Sequence, residues 1–163
     1  MKTIPSLLTS TKLLPEQISK HWDIISYAIA NSLPPVIMDK PDVLNNILMS
    51  MLADKIQCWA SYKRGGEDVK FEGIVVTKII YEPDSNTRNL LFYTVYSYGA
   101  ADSSAWKEGF ESLVKFCNFN KCEQLIAYTP HDHLAKLAKS LGAEVSYFIS
   151  FNVNKFVDKI NEL

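Results

Sequence analysis

The sequence holds a few side chains whose types and spacing could do chemistry. His131-Asp132-His133 has a His-x-His spacing that invites a metal reading. A catalytic zinc usually takes three protein ligands, and no third is evident, so surface imidazoles at a helix start are the plainer reading and no metal is expected. Cys117 and Cys122 are five positions apart, which is not a zinc-ribbon pairing, and Cys58 stands alone. Nucleophilic chemistry at a thiol needs a base partner that the sequence does not identify, so these read as core or near-surface thiols. Glu72 is a carboxylate beside Gly73, and a solvent-facing strand residue is its plainer reading. Tyr96 and Tyr98 share one face of a strand with Tyr93 opposite, and they could line a cleft, although strands are enriched in aromatics anyway.

Those groups must be positioned by regular elements. Pro15 to Ala30 reads as a helix, with Ile18, Trp22, Ile25 and Ile29 on one face and Pro34-Pro35 closing it. A second helix fits Pro41 to Asp54. The period then changes. Strands are expected over 56–62, 69–81 and 90–98, separated by turns at Arg64–Asp68 and Glu82–Asn86, which make an antiparallel meander in which Gly73 marks a bulge. A helix follows from Ser103 or Ser104 to Cys117, with Asp102 or Ser103 as an ordinary N-cap. A short strand over 124–128 leads to a helix capped by Asp132 and ended by Gly142. Val145, Tyr147, Ile149, Phe151 and Val153 alternate, which predicts a last strand over 145–153. Phe156, Val157, Ile160 and Leu163 place a helical tail over 154–163, free to dock on the domain or on a partner. Hairpin-joined strands followed by helix-joined ones predict an α/β or α+β domain, with a mixed sheet in three layers.

The 163 residues fit one domain with a sizeable core, and no repeat divides them. Of these, 47% are hydrophobic and 21% charged, and the net charge is −1. That balance disfavours a strongly basic nucleic-acid binder, leaving only a local basic patch open. No window approaches the roughly 20 apolar residues of a membrane span. Three cysteines suit a reducing compartment, and Met1–Ser10 lacks a signal-peptide core, so a cytoplasmic location is expected.

The element order from Pro15 to Val153 resembles the GNAT (N-acetyltransferase) superfamily, a three-layer fold with a meander followed by a parallel βαβ segment. Val75-Val76-Thr77-Lys78-Ile79-Ile80-Tyr81-Glu82-Pro83 with Leu90-Leu91-Phe92 looks like the second hairpin of small GNAT-like proteins often encoded by phages. Trp106, opening a helix that ends in Phe116-Cys117-Asn118-Phe119-Asn120-Lys121-Cys122, is similar to the same group. Leu137 to Glu144 looks like the end of the last GNAT helix, with Ala143 where Phe is usual.

The resemblance implies an acyl-CoA, such as acetyl-CoA, lying between strands 90–98 and 124–128, with pantetheine paired along the splayed strand. The diphosphate would rest on the next helix N-terminus. The implied cofactor-binding residues are Tyr96, Ser97, Tyr98, Gly99, Ala101, Ser103, Ser104 and Ala105. Of six glycines only Gly99 lies in this loop, Ala101 stands in for a second, and Tyr96 falls where Arg or Gln is usual. The implied reaction is acyl transfer to an amine acceptor that the sequence does not identify. Glu72, His131 and His133 are candidates for the general base. The usual proton-donor Tyr falls on Ala138, and Tyr128 could substitute if it faces the cleft, its plainer reading being a strand-end aromatic packed on a helix. The competing reading is a diverged, non-catalytic GNAT-like phage protein that binds a protein partner or belongs to a virion. Homo-oligomerisation stays open under both.

Overall fold

The computed structural model describes residues 8–65, 68–99 and 103–163. Two compact units divide the chain, Met1–Tyr128 and Thr129–Leu163. In the first, a five-stranded sheet runs in the order β1-β2-β3-β4-β5: β1 (Leu8–Lys12), β2 (Gln57–Gly65), β3 (Asp68–Glu82), β4 (Thr87–Ser97) and β5 (Gln124–Ala127). The first four are antiparallel and β5 joins β4 in parallel. This is the mixed sheet that the order of sequence patterns predicts. The strand β1 is a finding the sequence did not announce. Among the described residues it pairs only with β2, and a single antiparallel partner asks for little hydrophobic patterning.

Helix α1 (Pro15–Lys20) and helix α2 (Trp22–Ala30) replace the single helix expected over 15–30. His21 leaves helical geometry between them at φ −110°, and its ring meets Phe71 edge-on at 5.1 Å. Gln17 accepts a hydrogen bond from the Leu14 amide (2.8 Å), satisfying one of the free N–H groups at the start of α1. Helix α3 (Val43–Leu52) is shorter at both ends than the expected 41–54. At the β3–β4 turn Asn86 takes φ +53°, a conformation Asn tolerates, and its side chain accepts the Tyr81 hydroxyl (2.9 Å).

Alternation along β2 separates two cores. Cys58 and Ala60 face a cluster with Ile18, Ile25, Ile29, Ile47, Met51, Ile74 and Val76, which α1–α3 cover. Trp59 points the other way, toward Leu90, Leu113 and Cys117, which α4 (Ser103–Phe119) covers. Helix, sheet and helix make three layers. A polar chain links β2 to β3 on the α4 side: the Trp59 indole donates to the Thr77 hydroxyl (2.9 Å), which donates to Gln57 (3.1 Å). Each group finds a partner, so the low dielectric strengthens the chain instead of penalising it.

The second unit holds α5 (Asp132–Ser140) and α6 (Val153–Asn161). His131, not Asp132, occupies the N-cap of α5, and Asp132 sits in the first turn, where the helix dipole favours a carboxylate. Gly142 closes α5 at φ +91°, with the Ala143 amide donating to Ala138 (3.0 Å) and the Gly142 amide to Lys139 (3.0 Å). The Asn152 side chain accepts the Lys155 amide and caps α6. The expected strand over 145–153 is absent: these residues up to Asn152 are irregular, and they form no ladder among the described residues. Alternation expresses a capacity for pairing, and a strand exists only where a second edge supplies the hydrogen bonds.

Candidate functional site

In the first unit the sheet opens where β4 and β5 part. Their parallel ladder runs from Asn89–Gln124 to Phe92–Ala127 and then stops, while β4 continues to Ser97. The break coincides with a bulge. Val76 pairs with Thr94 and Thr77 with Phe92, so Tyr93 is an extra residue on β4 that bends the strand. The Tyr98 amide donates to the Glu72 carbonyl (3.0 Å), which fixes the direction of alternate N–H groups. Thr94 and Tyr96 therefore point their amides at β3, and Val95 and Ser97 point theirs at the side that β5 has left. Among the described residues no strand pairs with those two amides, which are donors along a strand edge.

The bulge also overturns one expectation. Strict alternation puts Tyr93 on the face opposite Tyr96, yet both rings pack on the cluster beneath α1–α3. The extra residue resets the alternation. Leu90-Leu91-Phe92-Tyr93, four large apolar residues in a row, is the sequence signal that could have revealed it.

Tyr96 and Tyr98 meet edge to face at 4.9 Å, and Tyr27 meets Tyr96 at 6.0 Å. The Tyr98 hydroxyl donates to the Ile24 carbonyl (2.9 Å). These rings hold α2 against β4. Burial, then the neighbouring Tyr96, Cys58 and Tyr27, push the Tyr98 phenol up to about 12, so it is neutral at physiological pH and serves as a tether. After β4 the Ser97 hydroxyl donates to the Gly99 carbonyl, turning the chain toward α4. A Cβ on Gly99 would meet nothing within 4 Å, so the backbone there faces free space. Ala101 lies outside the described residues. Ser103, Ser104 and Ala105 open α4 in the backbone, and their side chains lie outside the description, as does that of Trp106.

Glu72 departs from the wet-face expectation. Ser61 pairs with Gly73 and Tyr62 with Phe71, so Glu72 is the extra residue of a second bulge. Its side chain is only 19% exposed and lies 3.7 Å from the Lys63 ammonium. The bulge that Gly73 announced is thus real, and a Cβ on Gly73 would come within 3.2 Å of the Tyr96 carbonyl. Glu72 stands beside the far end of β4 through its bond to Tyr98. Tyr128, half-buried, follows Ala127 at the apex of the splay. His131 and His133 stand 5.5 Å apart between ring centres in the second unit. Among the described residues no three His, Cys, Asp or Glu side chains gather where they could hold a metal. An open cavity of about 440 Å³ lies between Ala30, Leu33 and the start of α3, lined by no residue of β4 or β5.

Burial accounts for the thiols. Cys58 is fully buried and pushed up to about 12, and Cys117 is raised to about 11 by burial and then by Cys122. Cys122 is half-buried and raised by burial to a lesser extent. An alkylating reagent at pH 8 is expected to label Cys122 first and Cys58 only after denaturation, read by peptide mass spectrometry. Equal labelling of Cys58 in the native protein would contradict this burial.

A mixed sheet that opens between a bulged β4 and a parallel β5, with helices on both faces, is the GNAT acetyltransferase fold. Solved structures with this fold are similar over nearly their whole length. A predicted acetyltransferase with acetyl-CoA from Clostridium acetobutylicum superposes with a TM-score of 0.66 at 10% identity, covering 91% of this chain and 98% of its own. The aminoglycoside N-acetyltransferase AAC(6')-Iy in complex with CoA gives 0.63 at 14% identity, over 92% and 97%. A GNAT family acetyltransferase from Staphylococcus aureus gives 0.58 at 9%, over 89% and 96%. No protein-family model matches the sequence, and no curated protein matches it. No described helix is long and apolar enough to cross a membrane.

Proposed function

We propose that this protein is a GNAT-type acyltransferase that moves an acetyl or other acyl group from CoA to an amine. One observation carries the reading: β4 leaves β5 at the Tyr93 bulge, with the Val95 and Ser97 amides aimed into the gap. Pantetheine amides can pair with such an edge as a short added strand. A thioester held there presents its carbonyl oxygen to a fixed N–H donor, which stabilises the oxyanion formed as the amine attacks. The new C–N bond forms as the C–S bond breaks, and the CoA thiolate leaves with the electron pair. The amine proton must go to a base, and the thiolate must gain a proton. Glu72, held by Lys63 beside the end of β4, is the candidate base, acting through water. Tyr128 at the apex is the candidate proton donor.

Gly99 and the start of α4 supply the backbone for the diphosphate, with a helix N-terminus that favours an anion. Tyr96, where the family usually carries Arg or Gln, is spent on packing α2, so the backbone must supply most of that recognition. Fold neighbours with acetyl-CoA and CoA support the cofactor class.

The test is thermal denaturation with acetyl-CoA. Ligand at 100 times its Kd adds about 2.7 kcal/mol, which at roughly 2–4 °C per kcal/mol raises Tm by about 5–10 °C. No shift at millimolar acetyl-CoA, or an equal shift with adenosine diphosphate alone, overturns the reading.

A further inference from the structure

We propose that Cys117 and Cys122 are a modification site. They close to a disulfide when the protein meets a low-molecular-weight disulfide such as oxidised glutathione, which fastens the end of α4 to the chain entering β5. The backbone brings the two residues together. Helix α4 ends at Phe119, and Lys121 takes φ +57°, the left-handed conformation that closes many helices. The Cys122 amide donates back to the Cys117 carbonyl (2.9 Å), and the Lys121 amide donates to the Asn118 carbonyl (3.3 Å). Those two bonds define a Schellman cap, in which the residue after the left-handed one lies against a side chain of the last helical turn. Cysteines occupy both contact positions, and Cys122 packs against the cluster of Leu90, Leu113 and Cys117. The next amide, that of Glu123, donates to the Arg88 carbonyl (2.8 Å) and leads directly into β5.

The two thiols are unequal, and that sets the order of events. Cys122 is half-buried, whereas Cys117 is only 7% exposed. Burial raises the Cys122 thiol, while a hydrogen bond from Cys117 and the Arg88 guanidinium pull it back. The Cys122 thiolate is therefore the attacking group. It displaces one glutathione thiolate and keeps the other half as a mixed disulfide. Burial and then the charge of Cys122 raise Cys117, and the second of these is lost once Cys122 is in the mixed disulfide. The Cys117 sulfur, its proton gone to solvent, then attacks the Cys122 sulfur, and the second glutathione thiolate leaves with the electron pair. Two protein thiols are oxidised and one glutathione disulfide is reduced to two thiols, which take up the two protons.

The test holds the native protein with millimolar oxidised glutathione in mildly alkaline buffer, quenches in acid and maps peptides without reductant. The expected product is a chain lighter by two hydrogens, with the Cys117 and Cys122 peptides linked. Cys58, fully buried in the other cluster, is expected to stay reduced. Cys117→Ala is expected to stop at the mixed disulfide, heavier by one glutathione, and Cys122→Ala to stay unmodified. In the linked protein the Cys122 and Glu123 amides are expected to exchange about 10-fold more slowly, because the cap can no longer open. Three free thiols in the treated wild type overturn the proposal, since a purely apolar contact within the cap gives that result. So does a wild-type chain that ends as the mixed disulfide, or one in which Cys122 is joined to a second chain. Equal modification of the two variants overturns the order of attack, and unchanged exchange in the linked protein overturns the fastening. The wild-type product alone decides the matter if circular dichroism shows that either variant fails to fold.

Discussion

Replacing Val95 by proline is expected to lower acetyl-CoA-dependent acylation about 10²–10³-fold, the usual loss when one preorganised oxyanion donor is removed. The Val95 amide points away from β3, so proline at this position deletes a donor aimed at the splay and no bond of the β3–β4 ladder. Val95 is also 42% exposed, so the ring does not enter a core. Thr94, which precedes it, is already extended, as a residue before proline must be. The measurement is thiol release from acetyl-CoA over a panel of primary amines, with circular dichroism and Tm to show that the sheet persists. Val95→Ala keeps the N–H and is expected to stay within about threefold of the parent, since surface substitutions cost little. Parental activity in the proline variant would remove the strand edge from the mechanism.

The second large effect concerns the core beneath α2. Ile25 on α2 and Ile74 on β3 are both fully buried in the same cluster. Truncating either to alanine removes three buried carbons and leaves a cavity, at a cost of about 2–5 kcal/mol. A domain of this size is stable by only about 5–15 kcal/mol, so either change consumes a large share. At roughly 2–4 °C per kcal/mol the expected fall in Tm is about 4–20 °C. Phe119→Ala is the contrast: that ring is larger but 86% exposed, and its loss is expected to shift urea midpoints little. The two isoleucines share one cluster, so the double variant is expected to lose a different amount from the sum of the singles.

Much of this architecture was legible because its causes are local. The apolar spacing of Ile18, Ile25 and Ile29 could only be a buried helical face. Gly73 announced its bulge because a side chain there would crowd the Tyr96 carbonyl. Gly142 announced a helix end because its φ is positive. The break at His21 was not legible, because Trp22 and Ile25 continue the helical period across it. Glu72 read as an ordinary wet-face carboxylate, since charge suggests exposure and the neighbouring Gly73, which announces the bulge, does not tell that it draws Glu72 beside Lys63.

The candidate site divides along the same line. Composition and period by themselves determined a mixed sheet with helices on both faces, three thiols without a base, and a loop at Gly99 between a strand and a helix. The tertiary structure decided where β4 and β5 separate, which amides are left facing the gap, and that Tyr96 and Tyr98 brace α2. It also decided that residues 145–152, strand-like in pattern, are not a strand. Helix faces and turns depend on a few neighbouring residues and are written in them. Ladders depend on which edge lies opposite, and that is settled only when distant segments meet.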